Sequence, residues 1–282
     1  MKKEEIKKAV REGYAKIARQ DGSCCSPDSP CCGSASTAKE ISRKIGYTDA
    51  ELDSVPEGAN LGLGCGNPVA LASLKKGETV LDLGSGLGFD CFLAANKVGS
   101  KGRVIGVDMT PDMIDKARKN AQEGGYRNVE FRLGEIENLP AADSSIDVII
   151  SNCVINLAPD KRRVFAEAFR VLKPGGRLMV SDIVLLKELP KKIRKSVGAY
   201  VGCLSGAVMK KEYLGAIKAA GFRDVKIIDE SSFPVELMVN DPTAKTIIND
   251  LEISLEEAKG IAGSATSIKV RGFKPEKSRH KN

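Results

Sequence analysis

Histidine is nearly absent: the single one among 282 residues, His280, sits in a basic tail. Its scarcity removes Ser-His-Asp triads, Cys-His dyads, histidine-rich metal centres and histidine general bases. Long apolar runs are missing too. No stretch approaches the about eighteen consecutive apolar residues that a membrane helix needs, and the first residues hold neither the apolar core nor the small-residue cleavage site of a signal peptide. The expectation is a soluble, cytoplasmic chain with no membrane partner. A concentrated charge in the body is lacking as well. The formal net charge is +7, but lysine and arginine collect in MKKEEIKKAVR and IKVRGFKPEKSRHKN, with acidic residues mixed into the first. Such runs read as solvated tails, so no nucleic-acid partner is expected.

Cysteine, in contrast, is plentiful. Eight of them in a reducing compartment stay mostly as thiols and read as metal ligands or reactive groups, not as a disulfide framework. The chemistry is left to carboxylates, thiols, amides and a cofactor. Apolar residues, at 42%, suffice for the core of one α/β domain with a smaller appended region.

Ile6, Val10, Tyr14 and Ile17 recur at three- and four-residue steps between charges, which predicts an amphipathic helix over residues 1–20. The following DGSCCSPDSPCCGSAS can bury little and reads as a loop carrying two vicinal pairs, Cys24-Cys25 and Cys31-Cys32. TDAEL then reads as a short helix start, and EGANLGLGCGNP as irregular backbone. From residue 78, TVLDLG, RVIGVD, VEFRLG, IDVIISN and GRLMVSD alternate with helical PDMIDKARKNAQEG and KRRVFAEAFRVL. Apolar strands alternating with helices call for an α/β fold whose parallel sheet is covered on both faces. Two more strands are expected near DVKIID and SIKVRGF, and KKEYLGAIKAAGF reads as a helix ending at Gly221. The chain divides into an N-terminal helix with a Cys-rich extension at 1–75, a core at 76–187, and a C-terminal α+β cap region at 188–282.

The first strand ends in Asp82-Leu83-Gly84-Ser85-Gly86-Leu87-Gly88 and runs into a helix. Glycines there let the backbone turn sharply and approach a ligand at the helix N-terminus. Asp82 lies two residues before the first glycine, and the third glycine follows after one residue instead of two. Both details favour S-adenosyl-L-methionine over a dinucleotide. Gly84, Ser85, Gly86 and Gly88 become candidate cofactor contacts, with Asp82 facing the ammonium of the methionine moiety. Asp108, at the end of the second strand, can accept the ribose hydroxyls, and Met109 can pack on adenine. Together with GEIENLP, IDVIISN and the turn Leu172-Lys173-Pro174-Gly175-Gly176, these features resemble the class I methyltransferase family over residues 78–182. The resemblance implies a Rossmann-like seven-stranded sheet with its last strand antiparallel. It also implies Glu135 and Ile136 near the adenine, and Asn152 at the open carboxyl end of the fourth strand.

Methyl transfer to nitrogen, oxygen or carbon usually needs a base, and none is evident near that strand end. Ser151-Asn152-Cys153 stands there instead. Cys65, in Gly64-Cys65-Gly66-Asn67-Pro68, and Cys203, in Gly202-Cys203-Leu204-Ser205-Gly206-Ala207, lie in glycine-flanked segments that border the same cleft. The constellation resembles the arsenite methyltransferase family, in which three such cysteines bind arsenic(III), and the resemblance covers nearly the whole chain. It implies that Cys65, Cys153 and Cys203 hold arsenic as the catalytic and metal-binding residues. Three sulfurs leave the arsenic lone pair free to attack the methyl carbon without a base. It further implies that Cys24-Cys25 or Cys31-Cys32 relays arsenic from a thiol conjugate such as that of glutathione, with thioredoxin a candidate reductant. The doubled pair departs from the single one the family carries. Cys65 is expected on a segment that swings, leaving Cys153 and Cys203 as the pair for methylarsenite. Cys91, among apolar neighbours, reads as a core residue. Two alternatives stand beside this reading: methylation of a small organic molecule such as a quinone precursor or sterol, and a non-catalytic thiol-rich metalloid carrier.

Overall fold

A computed structural model describes residues 3–19, 35–194, 196, 199–200, 204–232, 257, 260–261 and 263–276. The apolar runs become strands and the 3.6-periodic runs become helices, in the expected alternation. Strand β1 spans Thr79–Leu83, β2 Arg103–Asp108, β3 Val129–Leu133, β4 Ile146–Asn152 and β5 Leu172–Leu185, followed by β6 at Arg223–Ser232 and β7 at Ala265–Phe273. They form one seven-stranded sheet in the order β3-β2-β1-β4-β5-β7-β6. Every neighbouring pair from β3 to β5 is parallel, and β7 runs antiparallel between β5 and β6. The antiparallel last strand expected from the resemblance is therefore present.

Helix α1 covers Lys3–Arg19, α2 Ala35–Lys44, α3 Asp49–Asp53 and α4 Pro68–Leu71. Next come α5 at Phe89–Val98, α6 at Pro111–Glu123, α7 at Lys161–Val171, α8 at Lys191–Arg194 and α9 at Lys210–Ala219. Local chemistry sets several boundaries. Thr48 and Glu51 form a reciprocal capping box at the start of α3, and Asn67 caps α4 with Pro68 in its first turn. α9 stops at Ala219, two residues before Gly221 at φ 107°, a conformation that favours glycine.

Successive strand side chains bury on opposite faces. Leu81, Leu83 and Ile149 pack with Phe165 and Tyr213, whereas Val80, Val148 and Ile150 pack with Phe92 and Ile114. A third apolar cluster lies along the carboxyl ends of the strands. It unites Val10 of α1 with Cys65, Cys153, Leu157, Ile183, Leu185 and Tyr200. α1 is held over this edge by charge pairs as well as by its apolar stripe. Lys7 Nζ lies 2.7 Å from Glu135 and 2.8 Å from Glu137, and Arg19 Nε lies 2.6 Å from Asp112. The periodicity of residues 1–20 thus marked a helix whose apolar face closes one end of the sheet.

The direction of the chain reverses between β1 and β4, since β2 and β3 are added on one side and β5 on the other. Open α/β sheets bind ligands in the crevice outside the carboxyl ends at such a switch point.

Candidate active site

The crevice is a cleft of about 1140 Å³, including space continuous with solvent. Asp82, Gly84, Ser85, Gly86, Asp108, Met109, Glu135, Ile136, Asn152 and Cys153 all line it. Gly88 does not: at φ 94° it starts α5, and a Cβ there would meet the Phe131 ring at 2.6 Å and that of Phe92 at 2.8 Å. Its place is under the turn, where only a glycine fits. Cys203, Cys24, Cys25, Cys31 and Cys32 lie outside the described residues.

The turn after β1 is fixed by its backbone. Gly84 N and Ser85 N donate to Val107 O at 2.8 and 3.0 Å, and Gly86 N donates to Asp108 Oδ2 at 3.0 Å. Asp108 Oδ1 accepts from Thr110 N at 2.9 Å, and the carboxylate, which also takes the Thr110 hydroxyl and the Met109 N–H, lines the cleft. The Ser85 hydroxyl is buried and has no partner among the described residues.

Below the turn lie two buried carboxylates. Asp90, in the first turn of α5, accepts from Tyr47 Oη at 2.7 Å and from Asn152 Nδ2 at 3.1 Å. Burial nevertheless pushes its carboxyl up to about 6. Asp82 is raised further, first by burial and then by the charge of Asp90. The Cys91 thiol donates to Asp82 Oδ2 at 3.2 Å, so Cys91 is both a core residue and a support for that carboxylate. Such a pair suits a cationic ligand group.

A group whose folded value is raised favours folding at low pH, and that contribution disappears as pH rises through the folded value. Without ligand, the fold should therefore lose stability as pH climbs from about 4 toward 6, as Asp90 ionises. We expect Asp90→Asn to reduce the decline between pH 4.5 and 7.5 by on the order of 2 kcal/mol. Urea denaturation at the two pH values measures it, and equal slopes for the variant and the parent would refute it.

On the other side of the cleft, two of the three expected cysteines come together. The thiols of Cys65 and Cys153 and a carboxylate oxygen of Asp182 all lie within 4.8 Å of one another. All three residues are buried, Cys65 and Cys153 at 6% exposure and Asp182 at 0%. Cys153 follows directly on β4 and has φ 59°, a left-handed value unusual for a side-chain-bearing residue. Its N–H donates to Ser181 O at 2.8 Å, keeping it registered on β5.

Cys65 is tied down instead of swinging. Its N–H donates to Asn152 Oδ1 at 3.0 Å, its carbonyl accepts from Ser267 Oγ at 2.8 Å, and its sulfur lies 3.6 Å from Ser181 Oγ. A Cβ on Gly64 would strike Asn152 Nδ2 at 2.5 Å, and one on Gly66 would strike Ser181 Oγ. The glycines of this segment thus serve close packing, which corrects the mobility expected of them.

Asn152 is the hub between the two halves of the cleft. Besides Cys65 N and Asp90, its amide reaches Gly66 O at 2.8 Å and Tyr47 Oη at 2.9 Å. Glu135, expected near a ligand base, also takes the charge of Lys7 and lies 3.7 Å from Arg11. Sequence reasoning missed Asp90, Tyr47, Asp182 and Ser267. None of them belongs to a spacing motif that would mark it. Lys7 and Tyr14 of α1 also line the cleft, and the amphipathic stripe was the signal for them.

A family model described as a methyltransferase domain matches residues 74–221, over half of the chain. The solved structure of an arsenic(III) S-adenosylmethionine methyltransferase from Chlamydomonas reinhardtii aligns with a TM-score of 0.60 at 31% identity, covering 85% of this chain and 74% of that one. The chain belongs to this methyltransferase family. The arsenite methyltransferase of Halobacterium salinarum is 50% identical over 238 residues, 81% of this chain and 61% of that protein. Its human counterpart is 35% identical over 242 residues, 82% of this chain and 62% of that protein. The chain thus spans about three fifths of the length of these curated family members.

Proposed function

We propose that this family member transfers a methyl group from S-adenosyl-L-methionine to arsenic(III) held by thiolates. The observation that carries the reading is the approach of the Cys65 and Cys153 thiols to within 4.8 Å of one another, with Cys153 and Gly64 lining the same cleft as the glycine turn.

The residues present fit the cofactor. Asp82 and Asp90 form a buried carboxyl pair whose ionised form an ammonium group would stabilise, Asp108 lines the cleft where ribose hydroxyls can reach it, and the Ser85 hydroxyl, with no partner among the described residues, offers a further bond. Gly86, at φ 51°, has nothing within 4 Å of where its Cβ would stand, which leaves the turn open on that side. When bound, the cofactor supplies an electrophilic methyl group. Arsenite is the substrate: soft arsenic replaces its oxygens by sulfur from Cys65, Cys153 and Cys203, and keeps a lone pair as nucleophile. The buried, apolar surroundings of the two described thiols exclude water from that exchange.

Arsenite arriving as a thiol conjugate, transfer through Cys24-Cys25 or Cys31-Cys32, and a thioredoxin-type reductant belong to this reading, as does a cytoplasmic setting. No described helix is long and apolar enough to cross a membrane. The division at residues 75 and 187 belongs to it too, with the flanking segments serving the acceptor and the middle one the cofactor. Incubation with arsenite, glutathione and methyl-labelled S-adenosylmethionine, followed by chromatography, should give labelled methylarsenicals. Absence of labelled arsenic would refute it.

The cofactor assignment has its own test. Asp108→Ala should raise the dissociation constant for S-adenosylmethionine about tenfold or more, as expected for a charge-assisted hydrogen bond of roughly 1.5 to 3 kcal/mol. Asp82→Ala should do the same, and arsenite binding should persist in both variants. Calorimetric titration showing unchanged cofactor affinity would remove the assignment.

A further inference from the structure

Arsenic accounts for the two thiols at the carboxyl edge of the sheet but not for the carboxylate beside them. Asp182 belongs to β5, is fully buried, and has an oxygen within 4.8 Å of both Sγ atoms. Its Oδ1 accepts from Ile183 N at 3.0 Å and its Oδ2 from Tyr213 Oη at 2.9 Å. The Asn156 N–H is a third neutral donor, and the Lys161 charge acts on the carboxylate as well, yet burial outweighs all of them. A buried carboxylate in such a setting is costly unless a cation compensates it. Soft trivalent arsenic selects sulfur and has no use for that oxygen, whereas a borderline cation takes sulfur and carboxylate together.

We propose that Cys65, Cys153 and Asp182 form a second kind of site, for a thiophilic divalent cation of the zinc type, whose occupation excludes arsenic. Tetrahedral zinc has metal–sulfur bonds of about 2.3 Å and metal–oxygen bonds of about 2.0 to 2.2 Å, which set its ligand atoms roughly 3.5 to 3.8 Å apart. Donors no more than 4.8 Å from one another reach that geometry by closing at most roughly 1.3 Å. The anchors make this a small rearrangement. Cys65 is held through Asn152 and Ser267, Cys153 is registered on β5 through Ser181, and Asp182 lies in β5 itself.

Binding releases the two thiol protons and the waters displaced from the hydrated cation to solvent, forms two metal–sulfur bonds and one metal–oxygen bond in place of metal–water bonds, and changes no oxidation state. Three protein ligands leave the fourth position open to water or another donor. Magnesium and calcium are excluded because they require all-oxygen coordination. The site shares its thiols with the methylation reading but needs no methyl transfer, so the two can fail separately.

Cobalt(II) is the probe, used on the full chain with Cys24, Cys25, Cys31 and Cys32 replaced by serine to remove competing thiols. One equivalent should produce thiolate-to-cobalt charge transfer and the intense visible bands of tetrahedral cobalt, and both zinc and arsenite should abolish them. Asp182→Asn should raise the cobalt dissociation constant at least tenfold. Cys65→Ser and Cys153→Ser should each weaken the charge-transfer band. Unchanged affinity in Asp182→Asn, or only the weak bands of octahedral cobalt, would overturn the proposal. If circular dichroism shows that Asp182→Asn does not fold, the unaltered chain decides. Zinc should slow alkylation of Cys65 and Cys153, read by peptide mass spectrometry, and protection of other cysteines alone overturns the site. Arsenite methylation with and without zinc separates the two ideas. Cobalt bands without any methylation sink the methylation reading alone, and methylation indifferent to zinc without cobalt bands sinks the cation site alone.

Discussion

Replacing Cys153 by serine should abolish methylation of both arsenite and methylarsenite, by about a hundredfold or more, equivalent to roughly 2.7 kcal/mol or more of lost transition-state stabilisation. Cys153 stands at the carboxyl end of β4, lines the cofactor cleft, and brings its sulfur to within 4.8 Å of that of Cys65. Serine offers a hard oxygen of similar size, so it keeps the packing and removes the soft ligand. Cys65→Ser should likewise abolish methylation of arsenite, which takes all three sulfurs in the proposed mechanism. Cys91→Ser is the control. Its thiol packs in the core and donates to Asp82, and a hydroxyl of similar size can make the same bond, so turnover should stay within about twofold of the parent. Product analysis of the three variants, each supplied separately with arsenite and methylarsenite, measures the effects. Robust arsenite methylation by Cys153→Ser would defeat the thiolate mechanism and return a small organic acceptor to the front.

Asn152→Ala should weaken arsenite binding about tenfold or more and lower stability by about 3 kcal/mol or more, while cofactor affinity changes less than arsenite affinity. The asymmetry follows from where the amide is engaged. Asn152 Oδ1 holds the N–H of Cys65, and Nδ2 is shared among Gly66 O, Tyr47 Oη and Asp90 Oδ2. Alanine would leave the Cys65 N–H and the Gly66 carbonyl without their side-chain partner. It would also remove one of the two hydrogen bonds that support the buried Asp90 carboxylate. Each buried polar group left unsatisfied costs about 1 to 3 kcal/mol, so the loss is large for a single substitution. Released from its anchor, the Gly64–Gly66 segment would no longer hold the Cys65 sulfur near Cys153. Paired titrations with arsenite and with S-adenosylmethionine, alongside urea denaturation, test this. Loss of cofactor affinity with arsenite binding intact would instead make Asn152 a cofactor contact, which is the role its place at the strand end suggested.

The two predictions differ in how much of their basis was visible in the chain. Cys153 announces itself: an SNC tripeptide at the end of an apolar strand points to the mouth of a cleft. A single-stranded reading of IDVIISN cannot say that Asn152 spends its amide on another segment, because its partners lie at Gly66, Tyr47 and Asp90, up to 105 positions away. The same holds for Cys65. Its flanking glycines read as freedom, yet Gly64 and Gly66 are glycines because Asn152 and Ser181 stand where a Cβ would be. Whether a glycine provides motion or close approach depends on what lies opposite, and that is a tertiary fact.

The sequence by itself determined the alternation of strands and helices, the glycine turn after β1, the carboxylate ending β2 and the placement of a thiol at the end of β4. These follow from hydrophobic periodicity and from short-range backbone requirements, both of which are local. It also excluded histidine chemistry by composition. Only the tertiary structure decided that Asp90 shares the buried site of Asp82, that α1 lines the cleft, and that Asp182 joins Cys65 and Cys153. Asp182 sits at the seventh position of the run GRLMVSD, with nothing to distinguish it from a surface residue ending a strand. Its meaning arises because β5 continues to Leu185, β7 inserts beside it and Tyr213 folds over it, so that a single carboxylate is buried next to two thiols. Burial and long-range neighbours set the chemistry of a polar side chain, and neither is written in its local sequence.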